Sequence, residues 1–350
     1  MVKAVAFAVP GDLATPTGGY AYDRRIIGEL RQMSFGVDVL DLGEGFPRPT
    51  AETRALARAR LTEVPAGRPI VIDGLAFGVL EDEAKELRAS HPLVALVHHP
   101  LAFETGLSAD EAAALHASEC AALRCVQRVV VTSGATARLL VAEYDVPSDR
   151  VTVVLPGTDR AKTTARPHDA TVALLSVGSI VPRKGYDVLV AALARLKDLS
   201  WRLVIAGDRT RSTEAVRRLD EDIARFDLGD RITLFGAVAP ERLDALYVAA
   251  DLFVLPSRFE GYGMAFAEAI AHGLPVVATM AGALAETVPA EAGILVPPDD
   301  TGALADALRR LISCHDERGK LAAGALLAAG ALPTWRESGA VFARLLEGLA

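Results

Sequence analysis

Cysteine is scarce: Cys120, Cys125 and Cys314 are the only three in 350 residues. They cannot build a disulfide framework, and without a CxxC pair they do not form a zinc cluster. They read as buried or inert thiols in a reducing compartment. No run approaches the 18 apolar residues of a spanning helix. The short apolar stretch between Lys3 and Pro10 is too small for a signal-peptide core and reads as a first strand. Charge of one sign is also missing. The chain is −8 overall, and residues 1–165 hold 17 basic and 21 acidic residues, so each half is −4. Bulk attraction to nucleic acid is therefore not expected, although this charge balance leaves room for a local basic patch.

Several enzyme signatures are absent. There is no GxxxxGK[ST] loop, no GxSxG elbow and no HExxH pair. The Gly18-Gly19 pair lacks the GxGxxG spacing of a dinucleotide fingerprint. No isolated DxD follows a strand; Asp220 and Asp222 read as part of a charged helix surface. His91, His98, His99 and Glu104 are near one another in sequence without metal-ligand spacing, so no metal site is expected. Ser133 and Ser179 have no obvious base and read as caps.

What is present is alternation. Near-continuous apolar strands are expected at 2–9, 37–42, 69–73, 92–98, 128–132 and 151–154. Helices are expected at 20–33, 50–61, 77–89, 108–122 and 134–143. The polar segment AKTTARPHDA follows, and then the pattern restarts with strands at 171–177, 201–206, 231–235, 251–255, 275–278 and 293–296. Helices are expected between them at 185–196, 212–225, 241–249 and 264–273, with a last one at 301–313. This is an α/β chain of two doubly wound, Rossmann-like parallel-sheet domains facing across a crevice, 1–165 and 166–330. Residues 331–350 form a last helix that either caps the second domain or crosses back onto the first. Ligands in such sheets bind beyond the carboxyl ends of the strands.

Four blocks carry chemistry. In the stretch from Asp251 to Pro297, a strand ends in a turn with Glu260, Gly261 and Gly263. The opening amides of the next helix, at Gly263, Met264 and Ala265, suit a phosphate. Glu268 follows inside that helix, and carboxylates so placed accept hydrogen bonds from vicinal hydroxyls. In VGSIVPRKGYDVLV, Gly178 turns the chain and Arg183 and Lys184 precede a helix start, a candidate diphosphate site. In TPTGGYAY, Gly18 and Gly19 let backbone approach an anion or sugar. In LVHHPLAFETG, His98 and His99 end an apolar run, and adjacent strand residues face opposite ways.

Together these blocks resemble the retaining glycosyltransferases of family 4, two-domain enzymes of the GT-B fold. The resemblance implies an acceptor-binding first domain and a second domain that binds a nucleotide-diphosphate sugar. It matches Glu260 and Glu268 to a Glu-x7-Glu motif, the first meeting donor-sugar hydroxyls and the second the ribose. Gly18 and Gly19 match the glycine-rich loop near the donor phosphates, and Lys184 the diphosphate lysine. The family's arginine after Gly178 is replaced by Ser179, with Arg183 as the nearest substitute. VLPGTD at 154–159 matches a strand-end segment with Gly157 in place of the usual Asn. The family histidine falls at His98 or His99, with His99 preferred because it follows the strand end.

The resemblance implies a metal-independent hexosyltransferase with an NDP-sugar co-substrate, UDP- or GDP-linked, no other cofactor, and a lipid or small-molecule acceptor. The alternatives are an NDP-sugar epimerase or phosphorylase on the same fold, or a non-catalytic sugar-nucleotide-binding protein. The expected location is cytoplasmic. Peripheral contact with the inner membrane face would run through the first domain, where Arg54, Arg58 and Arg60 cluster on one segment and Arg24, Arg25 and Arg31 on another.

Overall fold

The computed structural model describes residues 3–161 and 171–349. The expected boundary at 165/166 lies outside the described residues. The chain divides into two compact units: Met1–Gly157 together with Pro333–Ala350, and Thr158–Leu332.

The first unit is built on strands β1 (Ala4–Val9), β2 (Gly36–Asp41), β3 (Ile70–Asp73), β4 (Leu93–Val97), β5 (Arg128–Val131) and β6 (Val151–Val153). Its helices are α1 (Gly18–Gln32), α2 (Ala51–Thr62), α3 (Gly74–Phe77), α4 (Glu81–Leu87), α5 (Ala109–Leu123) and α6 (Gly134–Glu143). All pairings are parallel, in the order β2-β1-β3-β4-β5-β6. Every residue of β3 and β4 is buried, as expected for apolar strands covered on both faces. The helix expected over 77–89 is two pieces, because α3 begins directly at the end of β3 with Asp73 as its cap.

The second unit repeats the plan with β7 (Val172–Val177), β8 (Trp201–Ala206), β9 (Ile232–Gly236), β10 (Leu252–Leu255), β11 (Val276–Thr279) and β12 (Gly293–Val296). Between and after them run α7 (Tyr186–Ala194), α8 (Thr213–Arg225), α9 (Pro240–Ala249), α10 (Met264–Ala271), α11 (Leu284–Thr287), α12 (Thr301–Ser313) and α13 (His315–Ala329). The order is β12-β11-β10-β7-β8-β9. The chain starts at β7, winds outward to β9, and then returns to the other side of β7 with β10. The reversal between β7 and β10 is the kind of switch point at which such sheets bind ligands. In the first sheet the same reversal lies between β1 and β3.

Helix α14 (Trp335–Glu347) belongs to the first unit and packs on α1. Phe342 is fully buried with its ring 6.3 Å from Phe7, and Trp335 meets Tyr22 edge-on at 5.9 Å. Local chemistry sets the helix starts. Thr17, Thr50, Ser133 and Ser212 cap by accepting a backbone N–H, and Ser108 and Thr334 form full capping boxes with Glu111 and Glu337. Ser179, expected as a cap, caps no helix: it lies in the loop after β7, and Gly185 stands at the cap position of α7. Cys120 and Cys125 are buried and Cys314 is half-buried, all as free thiols. Among the described residues no helix is long and apolar enough to cross a membrane.

Candidate functional site

In the second unit the loops that follow β7 and β10 meet at the switch point. Arg183 and Lys184 sit in a single 3₁₀ turn, Pro182–Lys184, and the chain then passes through a left-handed Gly185. Lys184 Nζ donates to Glu260 Oε1 at 2.6 Å. Arg183 Nη1 lies 3.6 Å from Glu260 Oε2 and donates to the carbonyl of Phe259 at 2.9 Å. Ser257 Oγ donates to the same Glu260 Oε1 at 2.6 Å. Burial opposes charge on Glu260, but Lys184 and then Arg183 outweigh it and hold the carboxyl below its ordinary value. Gly178, the turn after β7, lies against the Lys184 stem and takes a hydrogen bond from Tyr186 at its carbonyl.

The 256–263 loop is held by backbone contacts. A Cβ on Gly185 would stand 2.2 Å from the carbonyl oxygen of Pro256, and one on Gly282 would stand 2.2 Å from that of Glu260. Both glycines also have positive φ, so glycine is required at these two positions. Arg258 N–H donates to Arg183 O, and Ala283 N–H to Glu260 O, which ties the loop to its neighbours on both sides. Helix α10 then opens after Gly263. The Phe266 and Ala267 amides both reach the Gly263 carbonyl, so Met264 and Ala265 present the N–H groups that have no acceptor within the helix.

Glu268 has its own contacts further along α10. It accepts from Tyr247 Oη at 2.8 Å, and burial raises its carboxyl above the ordinary value. His272 stacks on Tyr247 and reaches Asp244 at 2.9 Å.

In the first unit the structure separates the two histidines. Strand β4 ends at Val97, so both lie beyond the strand rather than on it. His98 Nε2 is 3.2 Å from Asp23 Oδ1 on α1 and 3.2 Å from Asp73 Oδ2 at the end of β3. Burial disfavours charge on His98, but the two carboxylates win and raise its pKa. Asp23 is raised by burial and by Asp73, against the pull of His98. The ring lies over the start of α1: a Cβ on Gly19 would be 3.3 Å from His98 Cδ2. Gly18 has open space around it. His99 instead faces Glu104 at 3.5 Å. His91 is buried elsewhere, between Ser90 and the Val64 carbonyl.

Of the residues singled out in the sequence, the structure joins Gly178, Arg183, Lys184 and Glu260 by direct contacts, and Gly263, Met264 and Ala265 open the helix after the Glu260 loop; Ser257, Asp23 and Asp73 were not among those expected. Asp73 left one signal, an acid ending a wholly apolar strand. Asp23 left a weaker one, an acid in the helix stripe of Tyr22, Ile26 and Ile27. Asp23, Asp73 and His98 are also the one group among the described residues with metal-ligand geometry, their atoms lying within 4.8 Å of one another. The α2 arginines are paired: Arg54 with Glu83 at 3.1 Å, Arg58 with Glu86 at 2.6 Å and Arg60 with Glu63 at 3.8 Å. Arg24 binds the Leu13 and Thr15 carbonyls, Arg25 lies over Trp335, and Arg31 reaches the Val37 carbonyl.

Residues 171–314 match the family described as glycosyl transferases group 1. A D-inositol 3-phosphate glycosyltransferase from Xylanimonas cellulosilytica is 36% identical over 56% of this chain and 51% of its own. The chain spans about half the length of the curated relatives it matches. Sucrose-phosphate synthase from Thermosynechococcus elongatus superposes with a TM-score of 0.85 over 99% of both chains at 23% identity. The Anabaena protein HepE, in complex with UDP-glucose, superposes at 0.78 over 98% of this chain and 99% of its own at 18% identity. The sequence match over the second unit and the fold match over the whole length agree: the chain has the GT-B fold and is related to the glycosyl transferases group 1.

Proposed function

We propose that this protein is a retaining glycosyltransferase that moves a hexose from a UDP- or GDP-linked sugar to a lipid or small-molecule acceptor. The observation that carries the reading is the Lys184–Glu260–Arg183 cluster at the β7/β10 switch point, beside the opening of α10. The names of the relatives support it, and so does the UDP-glucose held by HepE.

Glu260, kept ionised by its two cations, accepts hydrogen bonds from hydroxyls of the donor sugar, and Glu268 accepts from the ribose. Lys184, Arg183 and the Met264 and Ala265 amides receive the diphosphate. Negative charge grows on that diphosphate as the bond from the anomeric carbon to its oxygen breaks, so these fixed groups stabilise the transition state more than the ground state. The acceptor oxygen bonds to the same face of the anomeric carbon, and its proton passes to the departing phosphate oxygen. No resident metal or further cofactor enters these steps. Gly18 and Gly19, without side chains, leave the backbone at the start of α1 open to an anion or a sugar. We assign the sugar-facing histidine to His98 rather than His99, because His98 is the one fixed over the glycine pair. Asp23 and Asp73 act through it by holding Nε2, which leaves Nδ1 to donate.

The test is a product screen by mass spectrometry over UDP- and GDP-hexoses, with polyol and lipid acceptors, followed by anomeric assignment of the product by NMR. Glu260→Gln should lower kcat/KM by about 10²-fold or more, roughly 2.7 kcal/mol, with nucleoside diphosphate affinity little changed. Inverted product would overturn the retaining mechanism. Full turnover in Glu260→Gln would remove that residue from the donor site.

A further inference from the structure

The N-terminal edge of the first sheet carries a feature that this reading does not use. A cavity of about 310 Å³ opens there, and four of the side chains that line it are arginines: Arg88, Arg124, Arg128 and Arg150. Arg128 is the first residue of β5, and Arg150 immediately precedes β6. Arg88 and Arg124 stand at the C-terminal caps of α4 and α5. Asp73 and His98 lie at the opposite, C-terminal ends of the strands, so the cavity is separate from the chemistry proposed above.

These arginines are poorly matched with acids. Elsewhere in the unit arginines meet carboxylates closely, as in Arg48–Glu111 at 2.6 Å and Arg58–Glu86 at 2.6 Å. Around the cavity the only such partner among the described residues is Asp145, 3.5 Å from Arg124, with both side chains well exposed. Arg128 donates to the carbonyl of Gln127. The guanidinium groups of Arg88 and Arg150 have no ion pair or hydrogen bond among the described residues. Helix dipoles account for cations at the ends of α4 and α5. They do not account for Arg128, which opens β5, and a three-residue 3₁₀ turn, Ser148–Arg150, has too little dipole to account for Arg150. A chain with an excess of acids has left four cations around one hole.

Guanidinium forks match phosphoryl oxygens in pairs, and about 300 Å³ is the lower end of small-ligand sites. We propose that Arg88, Arg124, Arg128 and Arg150 form a second anion site, which takes a phosphoryl group from a phosphorylated small molecule or a lipid head group.

The probe is inorganic pyrophosphate, titrated calorimetrically into the full chain at low salt. Because pyrophosphate would also enter the donor site, the titration is run on the Lys184→Met variant as well. Binding should persist in Lys184→Met and weaken at least tenfold in Arg128→Gln/Arg150→Gln. Arg88→Gln/Arg124→Gln provides a second pair, in case the strand-edge variant fails to fold. Sedimentation with phosphatidylglycerol vesicles then distinguishes the source. Co-sedimentation lost in the arginine variants assigns a lipid head group, and pyrophosphate binding without co-sedimentation assigns a free phosphorylated ligand. Pyrophosphate affinity unchanged in a folded arginine variant, or lost entirely in Lys184→Met, overturns the proposal.

Discussion

Replacing Lys184 by Met should destabilise the second unit, and the size of the loss can be worked from the contacts. Lys184 Nζ and Glu260 Oε1 are 2.6 Å apart, with side chains only 15% and 8% exposed. At that distance and an effective dielectric of about 20, the gross attraction is ~6 kcal/mol. Desolvation offsets much of it, and breaking a buried pair from one side costs about 3–5 kcal/mol. Arg183 and Ser257 still hold Glu260, so the loss should be about 2–3 kcal/mol at neutral pH. Trp201 lies in β8 of the second unit and Trp335 in α14 of the first. In a Trp335→Phe background, Trp201 fluorescence during urea denaturation therefore reports the second unit alone.

The pH dependence follows from the sign of the shift. Glu260 is held below its ordinary value, so the stability it contributes is complete above that value and fades as pH falls through the depressed one. The gap between parent and Lys184→Met should thus be widest at pH 7 and narrow towards pH 4. Adding Glu260→Gln to Lys184→Met should recover about 2 kcal/mol relative to the sum of the single losses, because no buried charge is left stranded. A loss below about 0.5 kcal/mol at pH 7, or one that does not change with pH, would refute the ion-pair account.

Three further outcomes are expected. Arg183→Ala should lower kcat by at least about 30-fold, some 2 kcal/mol, and weaken nucleotide binding; steady-state kinetics within threefold of the parent would leave the site to Lys184 and backbone donors. Gly19→Ala would bring a methyl to 3.3 Å from His98 Cδ2, and the displaced ring should lower kcat about tenfold without moving the melting temperature. An unchanged kcat there would take His98 out of the reaction. Transfer should persist in excess EDTA; loss restored by Mn²⁺ would point to Asp23, Asp73 and His98 as the ligands.

Much of the architecture is legible because buried parallel strands must be apolar on both faces. LVALV and LFVL announce β4 and β10 with no help from the fold. Helix α13 is not announced: HDERGKLAAGALLAA has small and apolar residues all round, with Leu327 80% exposed, so it lacks a one-sided stripe. The Lys184–Glu260 contact joins residues 76 apart. Each was visible as chemistry in its own loop, but their pairing depends on the winding order that makes β7 and β10 neighbours. Nothing in the sequence around His98 and His99 shows that β4 stops at Val97, or that partners from α1 and β3 converge on His98.

The place of α14 has a consequence for how the protein is made. Residues 333–350 complete the first unit, yet the ribosome reaches them only after about 175 residues of the second have been translated. At roughly 5–20 residues per second the N-terminal strands wait some 10–35 s before Phe342 and Trp335 can cover Phe7 and Tyr22. During that interval the nascent first unit has an uncovered apolar surface on α1. A stop codon introduced between codons 333 and 350 would therefore injure the first unit, although the whole of the second unit lies between it and the change. A fragment ending at Gly157 should need residues 333–350 supplied as a separate peptide before it becomes soluble.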